Sequence, residues 1–156
     1  MSTIEVNAAL CTVLLTACAN TPAMVDHAFS FDVIVDSPGY EVIAYRYGEG
    51  RFHTTSSDSA IRQFGRSHQA TGINGPMPLG DTLYVKWRKS STAQTYEKTI
   101  DLKSRLPMHM TNQRIHFVVS DGEVYVYLID PLPRPLDWPS IGPKKFQYEK
   151  VRQIHP

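Results

Sequence analysis

The sequence predicts a mainly β protein, an antiparallel β-sandwich or open barrel with one long loop that has room for a short helix. Three observations carry this reading. Apolar residues recur at every second position in several short runs, the period of a half-buried strand. Clusters of Gly, Pro, Asp and Ser separate those runs. Eleven prolines and eight tyrosines favour strands and ordered loops over long helices. A chain of 156 residues suits one domain, since single hydrophobic cores serve roughly 100–150 residues.

The elements follow in order. From His27 the chain alternates, with Phe29, Phe31, Val33 and Val35 on one side and Ser30, Asp32 and Ile34 on the other. Asp36-Ser37-Pro38-Gly39 is a turn cluster, and residues 40–47 resume as a second strand. Residues 48–80 are polar, rich in Gly, Ser and Thr, and interrupted by Pro76 and Pro78. They read as one long connection, in which Ser57 or Ser59 could cap a short helix that puts Ile61, Phe64 and His68 on one face. A connection of this length is uncommon in a compact domain unless it is functional or disordered. It is the first candidate for a binding surface.

Two hairpins come next. Leu83, Val85 and Trp87 alternate against Tyr84, Lys86 and Arg88, and residues 94–102 return so that Trp87 faces Tyr96 and Lys86 faces Glu97. That register leaves Lys98 among apolar neighbours, which suits an edge strand or a slipped register. Asp121-Gly122 is a type I′ turn dipeptide. Pairing outward from it aligns Val119 with Val124, Phe117 with Val126 and Ile115 with Leu128 on a core face. Val118 with Tyr125 and His116 with Tyr127 form the other face, aromatic and partly polar, fit to be covered by a loop or a partner. Pro131, Pro133, Pro135, Pro139 and Pro143 exclude a helix or central strand and predict an extended run across the surface. Residues 146–154 read as a last strand, for a total of about seven.

Composition and motifs narrow the function. An apolar share of 42% and a charged share of 20% are ordinary for a globular chain. The net charge of +1 gives no basic footprint for nucleic acid. In Lys86-Trp87-Arg88-Lys89 the strand points Trp87 inward and the cations outward, so it reads as a solvated strand face. There is no G-x-S-x-G elbow, no H-E-x-x-H pair and no Gly-rich phosphate loop. The six histidines lack helical metal spacing, and His116 reads as a hydrogen-bonded, partly buried imidazole. Neither a catalytic residue, a metal nor a cofactor is expected. The long connection mixes Arg51, Phe52, His53, Arg62, Phe64 and Arg66, a composition enriched at protein interfaces, and these are the candidate partner-binding residues.

Both cysteines, Cys11 and Cys18, lie near the start. The run AALCTVLLTA, residues 8–17, is too short to span a bilayer and suits the core of a signal peptide. Leu15-Thr16-Ala17-Cys18 resembles the bacterial lipobox, in which the cysteine is acylated and becomes the first residue. The resemblance implies a signal peptide over residues 1–17, a lipidated tether over 18–26 and a single β-rich domain over 27–156. Several acyl chains on one residue make a durable tether, since each buried methylene contributes about 0.8 kcal/mol. Ala19 after the cysteine implies the periplasmic face of the outer membrane. The segment MSTIEVN departs from the pattern by carrying no Lys or Arg.

The runs TGINGPMPLGDTLYVKWR (71–88), YEKTIDLKSRLP (96–107) and NQRIHFVVSDGEVYVYLIDP (112–131) resemble small lipoproteins of Gram-negative bacteria encoded beside type VI secretion effectors, notably lipases and phospholipases. The resemblance implies an immunity protein: a periplasmic domain that binds a cognate toxin effector and blocks it sterically. The alternatives are a structural lipoprotein of a secretion or envelope complex and an inhibitor of a lysozyme-like enzyme.

Overall fold

The computed structural model describes residues 23–48 and 69–156. Its elements are β1 (Met24–Asp32), one helical turn α1 (Val33–Asp36), β2 (Tyr40–Tyr47), β3 (Ala70–Pro78), β4 (Thr82–Lys89), β5 (Thr95–Asp101), β6 (Arg114–Ser120), β7 (Glu123–Pro133), a 3-10 turn (Lys144–Phe146) and β8 (Glu149–His155). A first sheet has the order β3-β1-β6-β7-β8 and a second the order β2-β4-β5. Among the described residues the two sheets do not close into a barrel. Every pairing is antiparallel except β1 with β6, which run parallel from Ala28 beside Arg114 to Phe31 beside Phe117.

Alternation fixes the core. Phe29 and Phe31 of β1, Ile115, Phe117 and Val119 of β6, and Val124, Val126 and Leu128 of β7 point at the second sheet. Val42, Tyr45 and Tyr47 of β2 and Leu83, Val85 and Trp87 of β4 meet them. Phe29 stacks on Tyr47 with ring centroids 4.6 Å apart, and Phe31 on Phe117 at 4.8 Å. Burying each such side chain contributes about 1.5–3 kcal/mol. Trp87 stacks on Tyr96 at 5.5 Å, and its indole N–H donates to the Ser120 carbonyl at 3.0 Å, which ties the two sheets together.

Both hairpins take the registers read from the sequence. Trp87 lies opposite Tyr96 and Lys86 opposite Glu97. Val119 pairs with Val124, Phe117 with Val126, Ile115 with Leu128, Val118 with Tyr125 and His116 with Tyr127. Lys98 is on the edge strand β5, where it pairs with Glu123 at 2.5 Å. The covered residues thus form a sandwich of eight strands.

Three expectations are corrected. Val33 and Val35 do not continue the first strand, because the chain turns helical at Val33 and the Asp32 carboxylate caps the turn by accepting the Val35 N–H at 3.2 Å. Residues 70–78, read as part of the long connection, form β3. Among the described residues it is an edge strand, paired to β1, where Gly72, Gly75, Pro76 and Pro78 do little harm. The last strand starts at Glu149, because Lys144–Phe146 winds into the 3-10 turn.

The sandwich has two distinct ends. At the entry end lie the start of β1, the start of β6, the end of β7 and the start of β8, as the pairings of Ala28 with Arg114, Arg114 with Ile129 and Ile129 with Val151 require. Here the Tyr47 hydroxyl bonds the His27 Nε2 at 2.9 Å, and burial pushes the Tyr47 pKa up to about 12. At the hairpin end lie α1 and the β4–β5 and β6–β7 turns, linked by Lys89 to Asp121 at 2.7 Å and by the Ser90 N–H to the Gly39 carbonyl at 2.8 Å.

Candidate partner-binding surface

The outer face of the first sheet, turned away from the sandwich core, carries the less expected chemistry. Register places Gly72, Ser30, His116 and Tyr127 side by side in one row, and Asn74, Ala28, Arg114 and Ile129 in the next. Residues 134–148 cross this face as a strap. The Trp138 indole N–H donates to the Val151 carbonyl at 2.8 Å, and the Arg134 N–H to the Tyr148 carbonyl at 2.8 Å. Beneath the strap Tyr127, Ile129, Phe146 and Val151 form a second, smaller core. Gly142, at φ +92°, permits the close approach, since a Cβ there would lie 2.8 Å from Val151 and 3.2 Å from the Tyr127 ring.

A row of hydrogen bonds joins β1, β6 and α1. The Ser30 hydroxyl donates to His116 Nδ1 at 2.8 Å, and His116 Nε2 donates to Asp36 Oδ2 at 3.0 Å. The tautomer follows from the partners, because a carboxylate only accepts. All three side chains are buried, the imidazole and the carboxylate completely. Phe146 lies edge-on to the imidazole at 4.9 Å. Burial holds the His116 pKa below its ordinary value even though Asp36 favours the charged form. The other Asp36 oxygen accepts the Lys145 N–H at 3.1 Å, and the Lys145 ammonium reaches Asp32 at 2.7 Å. Burial raises the Asp32 carboxyl, but Lys145 and the Val35 N–H outweigh it and leave the group below its usual range.

Serine, histidine and aspartate in series are the residue types of a hydrolytic triad. The geometry here suits a fastener better. Ser30 sits inside a central strand, and residues 28–31 pair on both sides, so the ladder occupies their backbone N–H groups. Those are the donors an oxyanion would need. Ser30 is also buried, at 2% exposure. The series pins α1 and the strap to the sheet. His116 is thus hydrogen-bonded, as read from the sequence, and more deeply buried than that reading held.

Two open features flank the fastener. Along the β3 side of the fastener, from Ala70 to Asn74, a depression of about 470 Å³ is lined also by Ser30, Arg114, Lys145 and Phe146. Arg114 donates to Asn74 Oδ1 at 2.9 Å and lies over the Phe146 ring at 5.6 Å. Toward the hairpin end a hollow of about 360 Å³ opens between the α1–β2 turn and the outer face, lined by Pro38, Tyr40, Val118, Tyr125 and Tyr127. Tyr40, Val118 and Tyr125 are half-buried. Ile34, on the same helical turn, is 71% exposed. The strap covers His116 and Tyr127 and leaves Val118 and Tyr125 open, so the aromatic face expected from the second hairpin is only partly roofed.

Cys18 and the candidate contacts Arg51, Phe52, His53, Arg62, Phe64 and Arg66 lie outside the described residues. The flank of that segment is described: the Gln69 carbonyl accepts the Val33 N–H at 2.8 Å, so the chain rejoins the fold beside α1. Sequence reasoning missed Tyr40 and Ile34 as surface features. The signal was an apolar residue beside a turn, which counts for little without the fold. Among the described residues no group of three His, Cys, Asp or Glu is placed to hold a metal, and no helix is long and apolar enough to cross a membrane. No protein-family model, curated protein or solved structure matches the chain.

Proposed function

We propose that this protein is a lipid-anchored periplasmic immunity protein that works by binding: it captures and neutralises a secreted antibacterial effector, a type VI secretion phospholipase. The observation that carries the binding reading is the tyrosine-lined hollow at the hairpin end, with the exposed Ile34 on the helical turn whose Asp36 contributes to its lining. Tyrosine offers a large, stiff contact area with a polar tip, which is why it concentrates at protein interfaces. The segment with Arg51, Phe52, His53, Arg62, Phe64 and Arg66 rejoins the fold beside the same helical turn, so it would supply the second part of the surface. The lipobox resemblance at Cys18 and the likeness to effector-linked lipoproteins supply the compartment and the kind of partner. Blocking is steric: the hairpin end would cover the entrance of the lipase.

Size-exclusion chromatography of the mature protein with the effector encoded beside it tests the reading. Coelution at micromolar concentration is expected, and Tyr125→Arg should weaken the complex at least tenfold, about 1.4 kcal/mol. Separate elution of the unaltered pair would overturn the proposal. Full affinity in Tyr125→Arg would remove the hollow from the interface.

A further inference from the structure

Five of the large apolar side chains that face solvent belong to one end of the sandwich. Met24 opens β1, and Leu132 lies in the last residues of β7. Tyr148 immediately precedes β8, and Leu136 sits in the turn that the Trp138 N–H closes on the Pro135 carbonyl at 3.1 Å. Met108 belongs to the β5–β6 connection, whose return is pinned at the same end by the Asn112 N–H bonding the Asp26 carbonyl at 2.9 Å. None is marginally exposed: Leu132 is at 60% and Met108 at 92%. Among the described residues, α1 and Ile141 carry the others.

The chain enters the fold at this same end. Five residues separate Cys18 from Met24, and at most about 3.6 Å per residue lets that stretch reach roughly 20 Å. A β-strand of eight residues is about 26 Å long at 3.3 Å per residue. A lipid on Cys18 therefore holds the entry end nearer the bilayer than the hairpin end can come when the tether is taut. Leucine, methionine and tyrosine are side chains that sit well at the boundary of headgroups and acyl chains.

We propose that the entry end is a membrane-facing surface, with Met24, Met108, Leu132, Leu136 and Tyr148 resting on the phospholipid interface and the hairpin end turned outward. The inference rests on the lipid anchor of the proposed function. It gives that anchor a second task, setting which end of the domain meets a partner.

The full chain, expressed and processed in a Gram-negative host, is reconstituted into phosphatidylethanolamine and phosphatidylglycerol vesicles that carry a nitroxide-headgroup lipid as quencher. A fluorophore is attached in separate preparations at Leu132→Cys and at Ser91→Cys, the latter in the exposed β4–β5 turn. Quenching at Leu132 several-fold greater than at Ser91 is expected. Equal quenching in protein that floats with the vesicles would overturn the orientation alone. A chain that fails to float would overturn the anchor and the orientation together. A Leu132 label shielded only after the effector is added would assign this end to the protein partner and overturn the membrane contact.

Discussion

Removing the imidazole of His116 would leave two buried polar groups, the Ser30 hydroxyl and the Asp36 carboxylate, without their partner. Leaving a buried polar group unsatisfied costs about 1–3 kcal/mol, and more where the group is charged. His116→Phe should lose that much in denaturant unfolding, whereas Ser30→Ala, which deletes one neutral donor, should lose only about 1 kcal/mol. The pH dependence has a fixed sign. Folding lowers the His116 pKa, so below about pH 6.5 the unfolded chain binds a proton that the folded chain does not. Stability is therefore fully present above that pH. It falls on acidification by as much as about 1.4 kcal/mol per pH unit, until the folded pKa is reached. Unfolding midpoints between pH 7.5 and 5 measure this, and His116→Phe should flatten the slope. The His116 hydrogen bonds were expected from its place on the less apolar face. Their partners were not legible, because Ser30 lies 86 residues away and Asp36 lies 80 away.

Among the elements, the hairpins were legible because both strands and their turn are contiguous, so alternation and the Asp121-Gly122 dipeptide fix the register locally. β3 was not, since its glycines and prolines read as loop. What makes it a strand is pairing with β1, from Asp32 beside Ala70, 38 residues apart, to Met24 beside Pro78, 54 apart. α1 was hidden for the opposite reason. Val33, Ile34 and Val35 favour a strand, and the Asp32 cap together with the Asp36 contacts overrides that preference. The junction between β3 and β4 makes a sharp demand. A Cβ on Gly80 would lie 2.6 Å from the Tyr47 ring and 2.8 Å from the Gly48 nitrogen. Gly80→Ala should cost about 1–3 kcal/mol through overpacking, read as a lower unfolding midpoint. Gly72→Ala, where an added Cβ meets nothing within 4 Å, is the control expected to leave the midpoint nearly unchanged.

For the molecule as a whole, the proposed function would assign anchoring to the entry end and capture to the hairpin end. Cys18→Ser should leave effector affinity in solution unchanged, within twofold by titration calorimetry, while cells carrying it lose most of their protection against the toxin. Tethering acts through effective concentration at the membrane, not through contacts. A soluble variant that protected fully would show the anchor to be dispensable. The sandwich also sets a constraint on how it is built. β1 sits between β3 and β6, and its parallel neighbour begins 86 residues after it, at Arg114 beside Ala28. Closing so long a loop costs entropy before any contact repays it, and chains rich in such pairings fold slowly. β4–β5 and β6–β7 need only local closure. Since synthesis proceeds from the amino terminus, the strand with Phe29 and Phe31 is made first; β3 and the second sheet follow it, but the edge of β1 that β6 takes stays without its partner until Arg114–Ser120 are made. The nascent chain must be kept from aggregating during that interval.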